Sequence, residues 1–471
     1  MFDTPEEIQR LIEEFYPYRE RFETVRQLPQ AGRGRDDVLA ELRWMAERED
    51  EQGYAGRMSG SLYHGDPQHY AFLVEAFGLF AHANVLQRDV YPSATKFEAE
   101  IVAMTASLLH GEAADDACGV LTSGGSESLI TQMLTYRDAA RAARGITRPN
   151  VIAPVTAHCA LDKGAHYFGV ELVHAPVGED FGVDVDWVAE HVTADTVALV
   201  GSAGNYPHGL IDDIPALGRI ALEHGIGLHV DGCLGGLLLP WGERLGLDVP
   251  GFDFRVPGVT SISVDPHKYG YGLKGTGVLL YARKDLRRYQ YFTAPDWPGG
   301  MYISPGMAGS RSGGLIASTW AAMVTLGEAG YLDIARRIFS TAARLRDGIA
   351  ATDGLRVIGR PLFNVAFTTQ DPATLDPFHV NDLLISRGWR LNGVQSPPGM
   401  HFCVTRPNTE PDVVEQFLAD LAEGVVYARQ QAPGTARSGA LYGLSGAGEQ
   451  GVTLARTLLA GALDAFYEPA P

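Results

Sequence analysis

Apolar and polar residues follow two different spacings along this chain, and the change of spacing separates its regions. Before residue 110, apolar residues recur at helical intervals, as at Val38, Leu39, Leu42 and Met45. From Cys118 onward, short apolar runs alternate with amphipathic segments of helical period. The first region is therefore predicted to be helical, with helices over residues 36–50, 70–83 and 97–109.

The second region reads as alternating strands and helices. Its candidate strands are residues 119–121, 151–153, 171–174, 197–200, 227–230, 261–264 and 277–281. Its candidate helices are residues 126–144, 162–168, 185–191, 214–224 and 318–328. This alternation predicts an α/β fold with a mainly parallel, seven-stranded sheet covered on both faces. Ligands of such sheets bind beyond the carboxyl ends of the strands.

The remaining chain predicts a smaller α+β domain. A helix is expected from Tyr331 to about Ala351, then short strands near Arg356 and Val365. Further expectations are helices over residues 379–386, 410–428 and 452–466, a strand over 401–404 and a loop over 431–448. We divide the chain into a helical segment (1–95), a large domain (96–330) and a small domain (331–471).

Composition and charge narrow the class of partner. The 471 residues carry a formal net charge of −19, and 45% of them are hydrophobic. A negative field disfavours nonspecific binding to nucleic acids or to anionic membranes, so we expect a small-molecule substrate. Four widely spaced cysteines fit neither a zinc site nor a disulfide framework, the N-terminus does not resemble a signal peptide, and no apolar run is long enough for a membrane anchor. We expect a cytoplasmic protein without a metal.

The run from Ser261 to Gly270, Ser-Ile-Ser-Val-Asp-Pro-His-Lys-Tyr-Gly, carries the most chemical information. A short strand ends there in a polar turn that holds His267 and Lys268. A desolvated lysine beside another cation has a depressed pKa and can form a Schiff base with a carbonyl cofactor. The same residues would also suit a solvated surface loop, in which Lys268 and Lys274 would be exposed charges.

Three further turns follow predicted strands. Residues 122–128, Thr-Ser-Gly-Gly-Ser-Glu-Ser, are predicted to begin a helix whose free N–H groups suit a phosphate. The same residues would also suit an N-cap turn that binds no ligand. His158 could stack on a flat ligand or cap a helix. Asp231 could pair with a protonated ring nitrogen or act as an N-cap. Together with Lys268 these turns supply the parts that pyridoxal 5′-phosphate requires. A second glycine-rich turn, residues 309–314, is ambiguous between phosphate binding and a subunit contact.

The chain resembles the sphingosine-1-phosphate lyase family, within the fold type I, group II decarboxylase-like enzymes that use pyridoxal phosphate. The resemblance runs from about Gly56 to the C-terminus. The matching motifs are the turns at 122–128 and 231 and residues 97–102, 252–256, 260–263, 267–271, 299–302, 308–311, 397–403 and 439–443.

The resemblance implies roles for the cofactor residues. Lys268 would bind the cofactor aldehyde, Asp231 would pair with the pyridine nitrogen, and His158 would stack on the ring. The cofactor phosphate would be held by a set of polar groups and backbone amides: Gly125, Ser126, His267, and Ser310 from the second subunit.

The resemblance also implies substrate contacts and an assembly. Tyr63 and Lys274 would lie near the substrate phosphate, and Tyr206 would approach the site of the partner subunit in a homodimer. One departure concerns the family segment Asn-Pro-Leu-His, whose histidine binds the substrate phosphate. Here the segment ends in Gln87, which cannot become cationic, so phosphate affinity should fall or the substrate should differ.

The implied reaction is retro-aldol cleavage of a phosphorylated 2-amino-3-hydroxy substrate into an aldehyde and phosphoethanolamine. Lys274, Tyr206 and the substrate phosphate are the candidate bases. Two alternatives are an amino-acid decarboxylase on the same scaffold, in which Gln87 would line a pocket for a different side chain, and a non-catalytic protein that retains the cofactor.

Overall fold

The structure is a computed structural model, and it describes residues 16–18, 20–432, 434–439 and 448–469. The N-terminal residues 1–15, half of the predicted loop 431–448 and most of the motif at 439–443 lie outside the described residues. The large sheet lies at the centre of the described chain, and the elements below are numbered along the sequence.

A seven-stranded sheet forms the large domain, with strand order β1-β7-β6-β5-β4-β2-β3. All strands run parallel except β7, which pairs antiparallel with both β1 and β6. This confirms the predicted fold class. The strands are β1 Cys118–Thr122, β2 Asn150–Pro154, β3 Glu171–Ala175, β4 Thr196–Ser202, β5 Gly227–Asp231, β6 Ser261–Val264 and β7 Gly277–Tyr281.

Both faces of the sheet are buried, which explains why its strands read as continuous apolar runs. Along β7, Val278 and Leu280 face one core while Leu279 and Tyr281 face the other. The helices around these cores and in the rest of the chain are α1 Arg35–Tyr54, α2 Pro67–Leu79, α3 Pro92–Leu108, α4 Gly125–Arg144, α5 Ala160–Phe168, α6 Val185–His191, α7 Ile214–His224, α8 Leu239–Arg244, α9 Lys284–Arg287, α10 Gly313–Ala351, α11 Pro377–Ser386, α12 Val413–Ala428 and α13 Gly448–Phe466.

Local chemistry sets several of these boundaries. The Asp184 side chain accepts a hydrogen bond from Trp187 N and begins α6, and Asp213 caps α7 in the same way through Ala216 N. Gly225 ends α7 in the left-handed conformation that suits glycine. These capping signals are local, so the predicted bounds of both helices match the observed ones.

Helix α10 differs from the prediction of two separate helices over 318–328 and 331–351. It runs from Gly313 to Ala351 and is interrupted by Gly327, whose φ of 54° and ψ of −179° are not helical. The proposed division into domains after residues 95 and 330 stays a prediction.

The small domain contains an antiparallel sheet with strand order β10-β11-β13-β12. Its strands are β10 Leu355–Val357, β11 Asn364–Thr369, β12 Asn392–Gln395 and β13 Pro398–Cys403. The N-terminal segment is attached to it, because Ser59 N donates to Arg390 O (2.9 Å) and Gly60 N donates to Cys403 O (3.0 Å).

Several elements were not predicted. Helices α8 and α9, strand β12 and a two-stranded ribbon, β8 Phe292–Ala294 with β9 Tyr302–Ser304, are too short for a periodic signal. The predicted start of α12 at residue 410 was wrong, because Asp412 has a φ of 67° and the helix begins at Val413.

Within the described residues, no helix has both the length and the apolar character needed to cross a membrane.

Candidate functional site

A cavity of about 410 Å³ lies at the carboxyl edge of the large sheet, between that sheet and the small domain. Strands β1, β2, β4, β5 and β6 all end toward this edge, because they run in the same direction. The cavity brings together six predicted site residues: Tyr63, His158, Tyr206, Asp231, Lys268 and Lys274.

Lys268 lies in the turn after β6 and forms an ion pair that the sequence argument did not include. Its backbone N donates to Asp265 O (2.9 Å), and its Nζ lies 3.0 Å from Asp265 Oδ2. Burial lowers the pKa of Lys268, but the charge and hydrogen bond of Asp265 more than compensate and hold that pKa above its ordinary value. The predicted depression of the Lys268 pKa was therefore wrong in sign.

Asp265 is a site residue that we missed. It is buried, its Oδ2 faces Lys268 and lies 3.6 Å from His267 Nε2, and its Oδ1 has no hydrogen-bond partner in the described part of the chain. Its position at the end of an apolar strand, three residues before the lysine, was the available signal. Local spacing alone does not show which way its carboxylate points.

Lys274 has the depressed pKa that we expected for Lys268. Burial and repulsion from Lys268 lower the pKa of Lys274 to about 8, against the opposing effect of Asp265. Its Nζ lies over the ring of Tyr63, 4.5 Å from the centroid, and 3.5 Å from His267 O. Tyr63 is itself buried, and burial raises its pKa well above the ordinary value. This pair forms a cationic corner in the cavity.

Asp231 and His158 are each held by a neighbouring backbone amide. Asp231 is buried at the end of β5, and its Oδ1 accepts from Cys233 N (3.0 Å). Its Oδ2 has no hydrogen-bond donor among the residues that the structure describes. His158 Nδ1 accepts from Ala160 N (3.1 Å), so the neutral ring carries its proton on Nε2. Both arrangements leave a polar group available to a ligand in the cavity.

The turn between β1 and α4 passes close to the same groups. A Cβ on Gly124, whose φ is 140°, would lie 2.8 Å from His267 Cε1, and one on Gly125 would lie 2.8 Å from both Asp265 Oδ2 and Cys233 Sγ. These contacts leave no space for a side chain. No side chain caps α4, so the amides of its first turn, including those of Gly125 and Ser126, remain available to an anion.

His267 is held against this turn. Its Nδ1 accepts from Thr276 N (3.2 Å), which places the proton of the neutral ring on Nε2. Burial lowers the pKa of His267 below its ordinary value. Gly125, Ser126 and His267 therefore lie together beside the cavity, as predicted for a phosphate site.

Tyr206 lies at the rim of the cavity of its own chain. Its ring is 6.4 Å from that of His158 and 4.8 Å from that of His401, edge-on in both cases. Asn364 Nδ2 donates to Tyr206 O (2.9 Å), so the small domain holds this residue. Its predicted approach to a partner subunit stays a prediction.

Ser310 and Gln87 do not line the cavity. Both are exposed on an outer face, where Asn84 Nδ2 donates to Ser310 Oγ (3.0 Å) and Gln87 N donates to Asn84 O (3.0 Å). Both residues thus bond to Asn84, and within one chain neither of them lines the cavity.

We also did not predict the residues that form the wall of the cavity beside the small domain. Ser59 Oγ accepts from Asn392 Nδ2 (3.0 Å) and from Cys403 N (2.9 Å), and all three residues line the cavity. They come from an N-terminal loop and two distant strands, so no spacing in the sequence relates them.

The residues present fit pyridoxal phosphate. The glycine turn has no space for a side chain and offers free helix N-terminal amides for the phosphate, and Asp231 has an unpartnered carboxylate oxygen for a protonated ring nitrogen. Lys268 provides the amine and His158 a flat ring in the same cavity.

Residues 61–369 match the pyridoxal-dependent decarboxylase conserved domain. The sphingosine-1-phosphate lyase of Arabidopsis thaliana is 43% identical over 85% of this chain and 74% of its own length, and the mouse enzyme is 39% identical over 94% and 77%. The solved structure of a sphingosine-1-phosphate lyase from Burkholderia pseudomallei is 50% identical, with a TM-score of 0.90 over 96% of this chain and 99% of that one.

A glutamate decarboxylase of Lactobacillus brevis shares the fold at 20% identity, with a TM-score of 0.73 over 88% of this chain and 97% of its own. The sequence identity of the lyases, 39–50%, is much higher. The chain therefore belongs to the sphingosine-1-phosphate lyase family of pyridoxal-phosphate-dependent enzymes.

Proposed function

We propose that this protein is a pyridoxal-phosphate-dependent aldehyde-lyase that cleaves the C2–C3 bond of a phosphorylated 2-amino-3-hydroxy compound. The observation that carries the proposal is the convergence of Lys268, Asp231 and His158 with Lys274 and Tyr63 on one cavity. The first three suit the cofactor, and the last two add a cationic corner for an anionic substrate. The names of the relatives support a phosphorylated sphingoid base as that substrate.

Each of the cofactor-binding residues has a separate proposed role. Lys268 offers its amine to the aldehyde, Asp231 keeps the ring nitrogen protonated, and His158 covers the ring. Gly125, Ser126 and His267 hold the phosphate. When bound, the cofactor supplies an electron sink for the pair of electrons left on C2 when the C2–C3 bond breaks.

Lys268 needs a proton acceptor before its amine can react. Asp265 Oδ2, 3.0 Å from Lys268 Nζ, stabilises the ammonium form and is positioned to accept a proton from it. The unpartnered Oδ1 of Asp265 lies on the same buried carboxylate. We propose that Asp265 positions Lys268 and stabilises positive charge at this point of the cavity.

The substrate phosphate is proposed to bind at Lys274 and Tyr63. An ammonium over a tyrosine ring is a preformed cationic site, and charge-assisted hydrogen bonds to phosphate are roughly twice as strong as neutral ones. Gln87 offers a neutral donor, so Lys274 carries more of the phosphate affinity here than in a relative with histidine at that position.

Bond cleavage begins with removal of the proton from the C3 hydroxyl. Lys274, Tyr206 and the substrate phosphate are the candidate acceptors, and a Lys274 pKa of about 8 leaves a fraction of neutral amine at pH 7. As the C2–C3 bond breaks, C3 becomes the aldehyde carbonyl. A proton is then added at C2, and phosphoethanolamine leaves.

We infer a cytoplasmic homodimer with shared sites. Ser310 and Gln87 lie on the outer face of the chain, so they can serve a cofactor cavity only if that cavity belongs to a second copy. In such a dimer, Ser310 and Gln87 would both be site residues.

Incubation of the purified protein with a phosphorylated sphingoid base tests the proposal. We expect an aldehyde and phosphoethanolamine in equal amounts, and we expect neither from Lys268→Ala. Release of carbon dioxide from an amino acid, without aldehyde from the phosphorylated base, would favour the decarboxylase. Cofactor absorbance without turnover of any amine would favour a non-catalytic protein.

A further inference from the structure

A row of polar side chains runs through the interior behind the cavity and is not used by the proposed reaction. Cys233 Sγ lies 3.2 Å from Ser263 Oγ, which lies 3.2 Å from His229 Nε2. His229 Nδ1 lies 2.7 Å from Ser261 Oγ, which lies 2.6 Å from the hydroxyl of Tyr136. All five residues are buried, and they connect α4, β5, β6 and the turn after β5.

The far end of this row determines the direction of its hydrogen bonds. The Thr260 hydroxyl donates to Leu228 O (3.1 Å), and Thr260 Oγ1 accepts from Leu228 N (3.0 Å). With its hydrogen directed at Leu228 O, Thr260 Oγ1 accepts from the Tyr136 hydroxyl, 2.7 Å away. The Ser261 hydroxyl then donates to the Tyr136 oxygen, in the same direction as the Cys233 thiol, which donates to Ser263 Oγ at the other end of the row.

The same direction continues to the cavity. Burial lowers the pKa of His229 to about 4, so the ring is neutral and carries one proton. Because the Ser261 hydrogen is already used, His229 Nδ1 donates to Ser261, and Nε2 accepts from Ser263. Burial raises the pKa of Cys233 well above its ordinary value, so its thiol keeps a proton and donates to Ser263.

Every donor in this row points away from the cavity, so its acceptor end, the Cys233 sulfur, faces the cofactor residues. Cys233 lines the cavity with Lys268, and its backbone N donates to Asp231 Oδ1 (3.0 Å). Hydrogen bonds aligned in one direction polarise one another in a medium of low dielectric constant. The aligned row therefore presents its negative end to the cavity.

We propose that Tyr136, Ser261, His229, Ser263 and Cys233 form a directional hydrogen-bonded chain that stabilises positive charge in the cofactor site. The inference rests on the proposed function, because the charge in question is that of the bound cofactor and its lysine. A purely structural role does not explain why these five buried residues are polar. Apolar side chains would fill the same interior without the desolvation cost that buried hydroxyls and imidazole carry.

The test is a pH titration of the visible absorption band of the bound cofactor in the holoenzyme. Tyr136→Phe removes only the hydroxyl at the far end of the chain. Tyr281→Phe is the matched control, because the Tyr281 hydroxyl is also buried and bonded, to Thr135 Oγ1 (2.9 Å) and Gln290 Oε1 (2.8 Å), and has no bond to this chain in the described structure.

We expect the midpoint of the titration to fall by about half a pH unit in Tyr136→Phe and by more in Ser263→Ala, which breaks the chain nearer the cavity. Cys233→Ala should lower the midpoint, whereas Cys233→Ser keeps a donor and should restore it. Tyr281→Phe should leave the midpoint unchanged. Asp231, Asp265, Lys274, His158 and His267 also face the cofactor and are retained in every variant.

An unchanged midpoint in Tyr136→Phe, or an equal shift in Tyr281→Phe, would overturn the inference even if thermal stability fell. If Tyr136→Phe does not fold, the two Cys233 variants decide the question, and an equal midpoint in them would also overturn it. Failure of the wild-type protein to bind the cofactor is a different result, because it would remove the proposed function itself.

Discussion

The cavity and the outer face hold predicted site residues in two different ways. In the cavity, His158 and Lys268 follow β2 and β6 and Asp231 ends β5, so one sheet sets their relative positions. On the outer face, Ser310 and Gln87 lie on exposed turns and are connected through Asn84. The cavity residues meet within one chain, whereas in the proposed dimer Ser310 and Gln87 would act only beside the cavity of a second copy.

The surface around the outer face supports this reading. In and beside the β8–β9 ribbon, Phe292 is 60% exposed, Ile303 is 64% exposed and Met301 is 87% exposed. Several large apolar side chains exposed on one short ribbon are typical of an interface. A homodimer that covers this face would bring Ser310 and Gln87 toward a partner. The comparison thus predicts that cavity substitutions act within one chain and outer-face substitutions act across two.

The largest effect is expected at the centre of the cavity. Lys268→Ala removes the amine that holds the cofactor aldehyde and should lower kcat by at least about 10³-fold. The visible cofactor band should weaken as well. Lys284→Ala is the control, because Lys284 forms only an exposed ion pair with Asp116. Turnover of Lys268→Ala within tenfold of the wild type would refute the assignment.

Mixing two inactive variants tests the outer face. Ser310→Asp places a negative charge where a phosphate is expected, and Lys268→Ala inactivates the other side of the same composite site. Co-expressed, the two variants should recover about a quarter of wild-type activity, because half of the dimers are hybrid and each hybrid has one intact site. Separate cavities within each chain would give no recovery, and the outer face would then lose its proposed role.

A smaller effect is expected from the pH dependence of substrate binding. Lys274 has a pKa of about 8, so its charge is present below that pH and is lost as the pH rises through it. If Lys274 binds the substrate phosphate, KM should rise about tenfold between pH 7 and pH 9.

Lys274→Arg keeps the charge at both pH values and should flatten this rise in KM. The same variant identifies a second role. Arginine cannot serve as the base at these pH values, so a large fall in kcat with an unchanged KM would make Lys274 the proton acceptor instead.

The smallest effect is expected at Gln87. Gln87→His should lower KM for the phosphorylated substrate about fivefold at pH 6, where a histidine is largely cationic, and much less at pH 8. Gln87→Asn is the matched neutral control and should not show this pH dependence. A KM that is equal in all three proteins would show that this turn does not contact the substrate phosphate.

The site residues that could be predicted from the sequence are those that lie at the ends of strands. A period-two or continuous apolar run identifies a buried strand, and the first polar residue after it marks the edge at which ligands bind. Three residues found in this way, His158, Asp231 and Lys268, line one cavity, and Gly125 lies against the cavity residue Cys233. It could not find Ser59, Asn392 or Cys403, because their association depends on how the small domain packs against the large one.

The sequence by itself determined the alternation of strands and helices in the large sheet, the turns after those strands and the resemblance to lyases, because these depend on local spacing. Only the tertiary structure decided that Asp265 raises the pKa of Lys268, that Lys274 has the depressed pKa, and that five buried polar side chains form one hydrogen-bonded row behind the cavity. The physical reason is that charges and hydrogen bonds act over a few ångströms in space. The residues that meet at those distances come from strands and turns far apart in the chain.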